Sequence, residues 1–362
     1  FGGDYDHLAT VAATTHLPVL CKDFIIDEVQ IYAARYYGAD AILLMLSVLS
    51  DDEYAHLSSV ADSLHMNVLT EVIDEEEAAR ATQLGARIFG VNHRNLHDLS
   101  IDLDRSARLA RLAPDGAVVV AESGIRDAAT VRRLGGHADA FLVGSQLTSQ
   151  PDIDRACREL VYGPNKVCGL RSTSAAQAAK AAGAVYGGLI FEEASPRNVS
   201  RETAAGIIAA EPGLNYVAVS RRTHGYDALV QPGITAVQVH APYQGSLAAE
   251  RELIARVRGE VDVEVWRAVD MTSASDVAGI AELVDRLVLD SGAGGTGERF
   301  DWSRITTTDA LLAGGLTPDN LEEALRTGCL GLDLNSGFED PRGHKDAAAL
   351  RRGFATIRNF HY

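Results

Sequence analysis

A chain of 362 residues with 46% hydrophobic and 23% charged side chains is long enough for two globular domains of about 150–200 residues each, and its composition excludes a disordered protein. The longest apolar run, AILLMLSVL at 41–49, falls short of the roughly 18–20 residues that span a bilayer, so no membrane span is expected. Asp and Glu number 50 against 33 Lys and Arg, and the resulting net charge of −17 repels nucleic-acid phosphate and anionic membrane; an anionic substrate must be held by a local site.

The opening FGGDYDHLAT has neither the basic region nor the apolar core of a signal peptide and no initiator Met, so a trimmed start is expected. Short Leu-, Val- and Ile-rich runs then alternate with Ala/Arg/Glu-rich amphipathic stretches, the pattern of βα units around a parallel sheet. Six runs precede residue 160: PVLCKDF (18–24), AILLML (41–46), NVLTEV (67–72), IFGVN (88–92), AVVVAES (117–123) and AFLVGS (140–145). Turn residues YGPN at 162–165 separate these from eight more. They are KVCGL (166–170), YGGLIF (186–191), YVAVS (216–220), AVQVH (236–240), VEVWRAV (263–269), RLVLDS (286–291), ALLAGG (310–315) and GLDLNS (331–336). Eight βα units suit a closed (β/α)8 barrel and six do not. The expected class is α/β, with two consecutive barrels: a first of about six units over 1–161, a linker at 162–165, and a complete second over 166–362.

The two halves end alike. AESGIRDAATVRRLGGHADAFLVGSQ (121–146) lies over AGGLTPDNLEEALRTGCLGLDLNSG (313–337), each a strand, a Gly turn, a short helix, a strand and a small polar residue beside Gly. The loops after strands seven and eight of such barrels commonly bind phosphate. Gly124, Gly144 and Ser145 are candidates in one half, and Gly314, Gly315, Ser336 and Gly337 in the other, although glycines also serve tight turns without any ligand.

Cys168 ends the first strand of the second half and Asp290 ends the sixth, so both are expected at the rim where barrel enzymes keep their chemistry. A thiol and a carboxyl facing one cavity are able to divide proton abstraction and donation between them. By position alone, Cys168 also reads as a packed core thiol and Asp290 as a turn cap. All four cysteines, Cys21, Cys157, Cys168 and Cys329, are far apart and form no CxxC pair; reduced thiols in the cytoplasm are expected.

The motifs KVCGL, YGGLIF with SPR at 195–197, AVQVH, LVLDSGAGGTGERFDW, LLAGGLTPDN and GLDLNSG resemble those of phosphoribosylanthranilate isomerase of tryptophan biosynthesis, over essentially all of 166–362. The resemblance implies an Amadori rearrangement of N-(5'-phosphoribosyl)anthranilate to 1-(2-carboxyphenylamino)-1-deoxyribulose 5-phosphate, with no metal or organic cofactor. Asp290 would protonate the furanose ring oxygen, Cys168 would remove the C2' proton, and Arg197 would hold the anthranilate carboxylate. Gln238 and His240 would contact substrate, and Gly292, Gly314, Gly315, Asn335, Ser336 and Gly337 the phosphate. Here Val239 and Ala241 replace the Leu and Gly of the family's QLHG stretch, and loss of that Gly is expected to narrow the loop beside His240.

In the first half, Lys22, Glu71, Asn92 and Glu122 with Ser123 all end strands, and together they form an acid–base constellation above the Ser/Gly loops. Singly, Lys22 reads as a snorkelling side chain, Glu71 as a helix cap and Asn92 as an Asx turn. VLCKDFIID, LLMLSVL, VLTEV, GVNHRNL, AESGI and FLVGS resemble indole-3-glycerol phosphate synthase from its third strand onward. That family closes the same deoxyribulose phosphate into indole-3-glycerol phosphate with loss of carbon dioxide and water. The resemblance makes Lys22 the general acid, Glu71 its partner and general base, and Asn92, Arg94 and Glu122 substrate-orienting residues. Ser123, Gly124, Gly144 and Ser145 would hold the phosphate, and His93 departs from the family pattern. The family's first two strands, with a catalytic glutamate and a second lysine, are expected upstream of Phe1. This half is accordingly expected to expose sheet edges, to be poorly stable alone and to lack the synthase activity that the full-length protein has.

Two rivals remain. Histidine-pathway isomerases typically use paired aspartates at the ends of strands one and five, whereas strand one here ends in Cys168. A non-catalytic sugar-phosphate-binding barrel would keep the phosphate loops without the chemistry, against which Cys168 and Asp290 both argue. The expected partners are small phosphorylated substrates, with neither nucleic acid nor membrane, and a monomer is expected.

Overall fold

The computed structural model describes residues 3–95, 98–274, 276–292 and 297–362, so part of the GAGGTG stretch, 293–296, lies outside the described residues. Residues 1–126 and 130–149 cluster into one compact unit, and 127–129 and 150–360 into a second.

In the first unit the strands are β1 (Leu20–Cys21), β2 (Ala41–Met45), β3 (Asn67–Val72), β4 (Ile88–Asn92), β5 (Val118–Glu122) and β6 (Ala140–Leu142). All neighbours pair in parallel in that order, and each strand falls within or on one of the six apolar runs. Alternation along β2 explains why: Ile42 and Leu44 pack with the helices, while Leu43 and Met45 join Leu69 on the opposite face. Intervening helices start where the sequence provides caps. Ser50 Oγ accepts from the Glu53 amide while Glu53 Oε2 accepts from the Ser50 amide at 2.8 Å, a capping box that opens the helix Asp51–Ser63. Among the described residues the sheet is open, with β1 and β6 each paired on one side, and Phe24, Ile26, Val29, Tyr32 and Tyr36 are exposed.

The strands of the second unit are β7 (Lys166–Cys168), β8 (Tyr186–Ile190), β9 (Asn215–Ser220), β10 (Ile234–Val239), β11 (Glu264–Asp270), β12 (Arg286–Asp290), β13 (Ala310–Leu312) and β14 (Gly331–Leu334). They close into a parallel eight-stranded barrel, with β14 pairing back to β7 in the register Asp333↔Lys166 and Leu334↔Val167. Residues such as Val167, Val265, Leu332 and Leu334 fill the layer beneath the helices, and Cys168, Val217, Trp266, Val288 and Leu311 fill the interior. Four interior positions break the apolar rule: Lys166, Gln238, Asp290 and Asp333 are all buried. Gly188 makes space for this departure, because a Cβ there would lie 2.7 Å from Cys168 Sγ and 3.0 Å from Lys166 Cε.

In the YGPN segment Gly163, Pro164 and Asn165 are buried and Tyr162 is half-buried. Gly163 ends the helix Ile153–Tyr162 with φ of 89°, a conformation that favours glycine. Asn165 is fully buried; its Nδ2 donates to Tyr162 O at 2.7 Å and its Oδ1 accepts from the Leu332 amide at 2.8 Å. The helix itself belongs to the second unit, where Arg155 Nη1 donates to Asn215 Oδ1 at 2.9 Å and Arg158 Nη2 to Gly213 O at 2.6 Å.

Candidate active sites

At the C-terminal rim of the closed barrel lies a cavity of about 280 Å³. Of the residues expected at this site, Cys168, Arg197, Gln238, His240, Asp290, Gly314, Gly315, Asn335 and Ser336 line it. Gly292 and Gly337 do not: the Gly292 amide donates to Asp270 Oδ1 at 2.9 Å, and Gly337 packs closely against the Leu316 carbonyl. The lining also includes Glu192, Arg221 and Asp333, which sequence reasoning did not single out.

Cys168 and Asp290 enter from strand ends on different sides of the barrel. Burial pushes the Cys168 thiol up, with Lys166 opposing that shift and Asp333 adding to it. Asp290 is pushed up to about 7, chiefly by burial and further by Asp333, while the Ser291 amide, 2.7 Å from its Oδ1, pulls the other way. His240 Nε2 sits 3.4 Å from Asp290 Oδ2 and is pushed down to about 4 by burial, Lys166 and Arg267. Between about pH 4 and 7 both partners are therefore neutral, and the contact is a positioning one rather than an ion pair. Ala241, the residue in place of the family's Gly, has no left-handed backbone, and His240 reaches the cavity beside it.

Arg197 is held by a fork: its Nε and Nη2 each donate to a Glu339 oxygen at 2.8 Å, which leaves both Nη1–H groups and the second Nη2–H outside the fork. Buried Lys345 donates to Glu339 Oε1 at 2.7 Å, to Asn335 Oδ1 at 3.0 Å and to Asn335 O at 3.1 Å. The guanidinium on one side of the cavity is thus tied to the Asn335–Ser336 loop on another. Gly314 and Gly315 have φ of 79° and 64°, and a Cβ on Gly314 would lie 3.0 Å from Asp290 Oδ1. Sequence reasoning missed Glu339 and Lys345 because they follow the last strand, in a loop with no periodic signal.

The first unit also gathers its expected residues. Lys22 Nζ, partly exposed, donates to Glu71 Oε2 at 3.2 Å and lies 3.1 Å from Glu122 Oε2, and Asn92 Nδ2 donates to Glu71 Oε1 at 3.0 Å. Burial lowers Lys22, but Glu122 and Glu71 outweigh it and keep the ammonium charged. Burial pushes Glu122 up to about 7 despite Lys22. Arg94 is half-buried, its amide donating to Asn92 Oδ1 at 2.9 Å. Ser123 and Gly124 turn with φ of 69° and 75°, whereas Gly144 and Ser145 are exposed at the start of the short helix Ser145–Thr148. His93 proves structural. Fully buried and pushed down by that burial, its Nδ1–H donates to Ser123 O at 2.9 Å and its Nε2 accepts from Ser106 Oγ at 2.7 Å. Among the described residues no cluster of His, Cys, Asp or Glu is arranged to hold a metal ion.

A closed (β/α)8 barrel with a thiol and a raised carboxyl group in one cavity at its C-terminal rim has the arrangement of an acid–base enzyme of the (β/α)8 class. The family model for indole-3-glycerol phosphate synthase matches residues 1–160, and that for N-(5'-phosphoribosyl)anthranilate isomerase matches 165–355. The tryptophan biosynthesis protein TrpCF of Corynebacterium glutamicum is 66% identical over 376 residues, covering 100% of this chain and 79% of that protein. The Salmonella typhi TrpCF is 46% identical over 367 residues, covering 99% of this chain and 80% of its own length. A phosphoribosylanthranilate isomerase structure from Thermus thermophilus is 28% identical over 53% of this chain and 96% of its own, with a TM-score of 0.47. The chain belongs to the bifunctional family of tryptophan biosynthesis that joins these two enzymes.

Proposed function

We propose that the second unit isomerises N-(5'-phosphoribosyl)anthranilate to 1-(2-carboxyphenylamino)-1-deoxyribulose 5-phosphate, and that in the full-length protein the synthase domain acts on that product to form indole-3-glycerol phosphate. The supporting observation is that Cys168 and Asp290, ending strands one and six of the closed barrel, face one cavity with Asp290 held up to about 7. Asp290 then has a proton to give the ring oxygen, and the Cys168 thiolate takes the C2' proton. Arg197 holds the anthranilate carboxylate through Nη1, His240 and Gln238 orient the substrate, and Gly314, Gly315, Asn335 and Ser336 hold the phosphate. In the first unit Lys22 acts as general acid with Glu71 as base, and Asn92, Arg94 and Glu122 orient the substrate, with Ser123, Gly124, Gly144 and Ser145 at its phosphate. We place the domains at 1–161 and 166–362 about the 162–165 segment, in a cytoplasmic monomer whose four cysteines are free.

Steady-state assays of the purified chain on both substrates test this reading, and the pH dependence tests the residue roles. A required acid near 7 and a required base above its ordinary range make kcat/KM climb to about pH 7, level off, and fall only above the elevated thiol value. A climb that ends near pH 4 would mean that Asp290 titrates as an ordinary carboxyl group. Removing the Glu339 charge with Glu339→Gln is expected to raise KM about tenfold, because a hydrogen bond to a charged group contributes about 1.5–3 kcal/mol. An unchanged KM with a lower kcat would show that Arg197 serves the transition state instead.

A further inference from the structure

Lys166 is a charged group that the proposed chemistry leaves unused. It lies two residues before Cys168 on β7, so both side chains point into the barrel. Its side chain is fully buried, with Nζ 2.6 Å from Asp333 Oδ2, and its Cε borders the same gap at Gly188 as Cys168 Sγ, 3.0 Å and 2.7 Å from where a Cβ on that glycine would lie. Burial works against its charge, yet Asp333 and Cys168 hold it above its ordinary value. A buried ion pair is often no more stabilising than well-packed apolar residues of the same volume, so stability alone does not account for it. Asp333 Oδ1 is buried without a hydrogen-bond partner, and the missing side chain of Gly188 leaves a space that Lys166 Cε and Cys168 Sγ both border.

We propose that Lys166, anchored by Asp333, is the positioning residue for Cys168, its ammonium serving as the counter-charge that lets the buried thiol give its proton to solvent and stand as the thiolate base. The inference rests on Cys168 being that base. Other charged groups near Cys168 are committed elsewhere: Lys345 to Glu339 and Asn335, and Arg197 to the two Glu339 oxygens. Across the cavity, Asp290 and His240 face each other. Lys166 and Asp333 have opposite effects on the thiol, with Lys166 the stronger.

That opposition gives an ordered test. The rate at which iodoacetamide alkylates Cys168, read by mass spectrometry of the peptide that carries it, is followed against pH in full chains bearing Cys157→Ser. The alkylation midpoint is expected to rise in the order Asp333→Asn, parent, Lys166→Met with Asp333→Asn, and Lys166→Met alone, the last about one pH unit above the parent. Lys166→Arg should return the midpoint toward the parent and recover part of the isomerase rate. A Lys166→Met midpoint equal to the parent's, or an Asp333→Asn midpoint above it, overturns the proposal. Should Lys166→Met alone not fold, Asp333→Asn and the charge-neutral double variant decide the order. A Cys168→Ala chain that still turns over would sink the base assignment instead, whatever the alkylation order.

Discussion

Replacing Cys168 by Ala is expected to lower isomerase turnover by about 100- to 10,000-fold, the range contributed by a general acid–base group, with little change in affinity for a product analogue. The asymmetry follows from what the sulfur touches. Cys168 is 4% exposed and its sulfur borders the open space at Gly188, whereas the phosphate candidates Gly314, Gly315 and Ser336 and the guanidinium of Arg197 come from other strands and loops. Truncation to Ala therefore removes the proton acceptor and leaves those other groups in place. Cys168→Ser is expected to be nearly as inactive, because a hydroxyl in this site does not ionise near neutral pH. Product formation in single turnover and analogue binding by calorimetry separate the two effects. If both variants kept parental turnover, the C2' proton would be leaving by another route, and a barrel that bound analogue but never turned over in the parent would be a binding module.

The strands were legible because each is a short apolar run bounded by turn residues, and all fourteen predicted runs meet an observed strand. Cys168, Asp290, Glu71, Asn92 and Glu122 were legible because a polar residue ending an apolar strand stands out. Lys166 and Asp333 were passed over, although a signal was present: both are charges in apolar runs, and period-two alternation from Cys168 and from Leu332 and Leu334 points both inward. What remained hidden depends on loop geometry. Nothing local marks Glu339 as the fork that holds Arg197, 142 positions away, or Lys345 as its buried partner. The same holds for Gly292, which reads as a phosphate-loop glycine but gives its amide to Asp270. His93 departs from the family motif, and its role was hidden because its ring bridges the Ser123 carbonyl and the Ser106 hydroxyl, 30 and 13 positions away.

Arg267→Met is expected to destabilise the second unit by about 3–5 kcal/mol, because it strands a buried carboxylate. Arg267 lies on the outer face of β11 and is 1% exposed, and Glu250, on the helix Leu247–Glu260, is fully buried. Its Nε and Nη2 each donate to a Glu250 oxygen at 2.8 Å, the bidentate geometry that Lys lacks. The remaining donors reach the chain that carries His240: Nη1 donates to Val239 O at 3.2 Å and Ala241 O at 2.7 Å, and Nη2 to Pro242 O at 3.2 Å. Glu250 Oε1 also accepts from the Gln244 amide at 2.9 Å, so one pair holds the whole turn after β10. Loss of the guanidinium takes a donor from four carbonyls, Val239, Ala241, Pro242 and Ala268, and from both Glu250 oxygens, and the backbone on both sides of His240 loses its support. Arg267→Lys is expected to recover only part of the loss. Arg267→Met with Glu250→Leu, which removes both charges, should recover most of the stability and little of the isomerase rate, since His240 still lacks its brace. Both tryptophans of the chain, Trp266 and Trp302, lie in the second unit, so their fluorescence in urea follows this unit alone. A midpoint for Arg267→Met within about 1 kcal/mol of the parent would mean that water or a neighbouring cation takes over the Glu250 carboxylate, and the turn after β10 would then owe its position to packing instead.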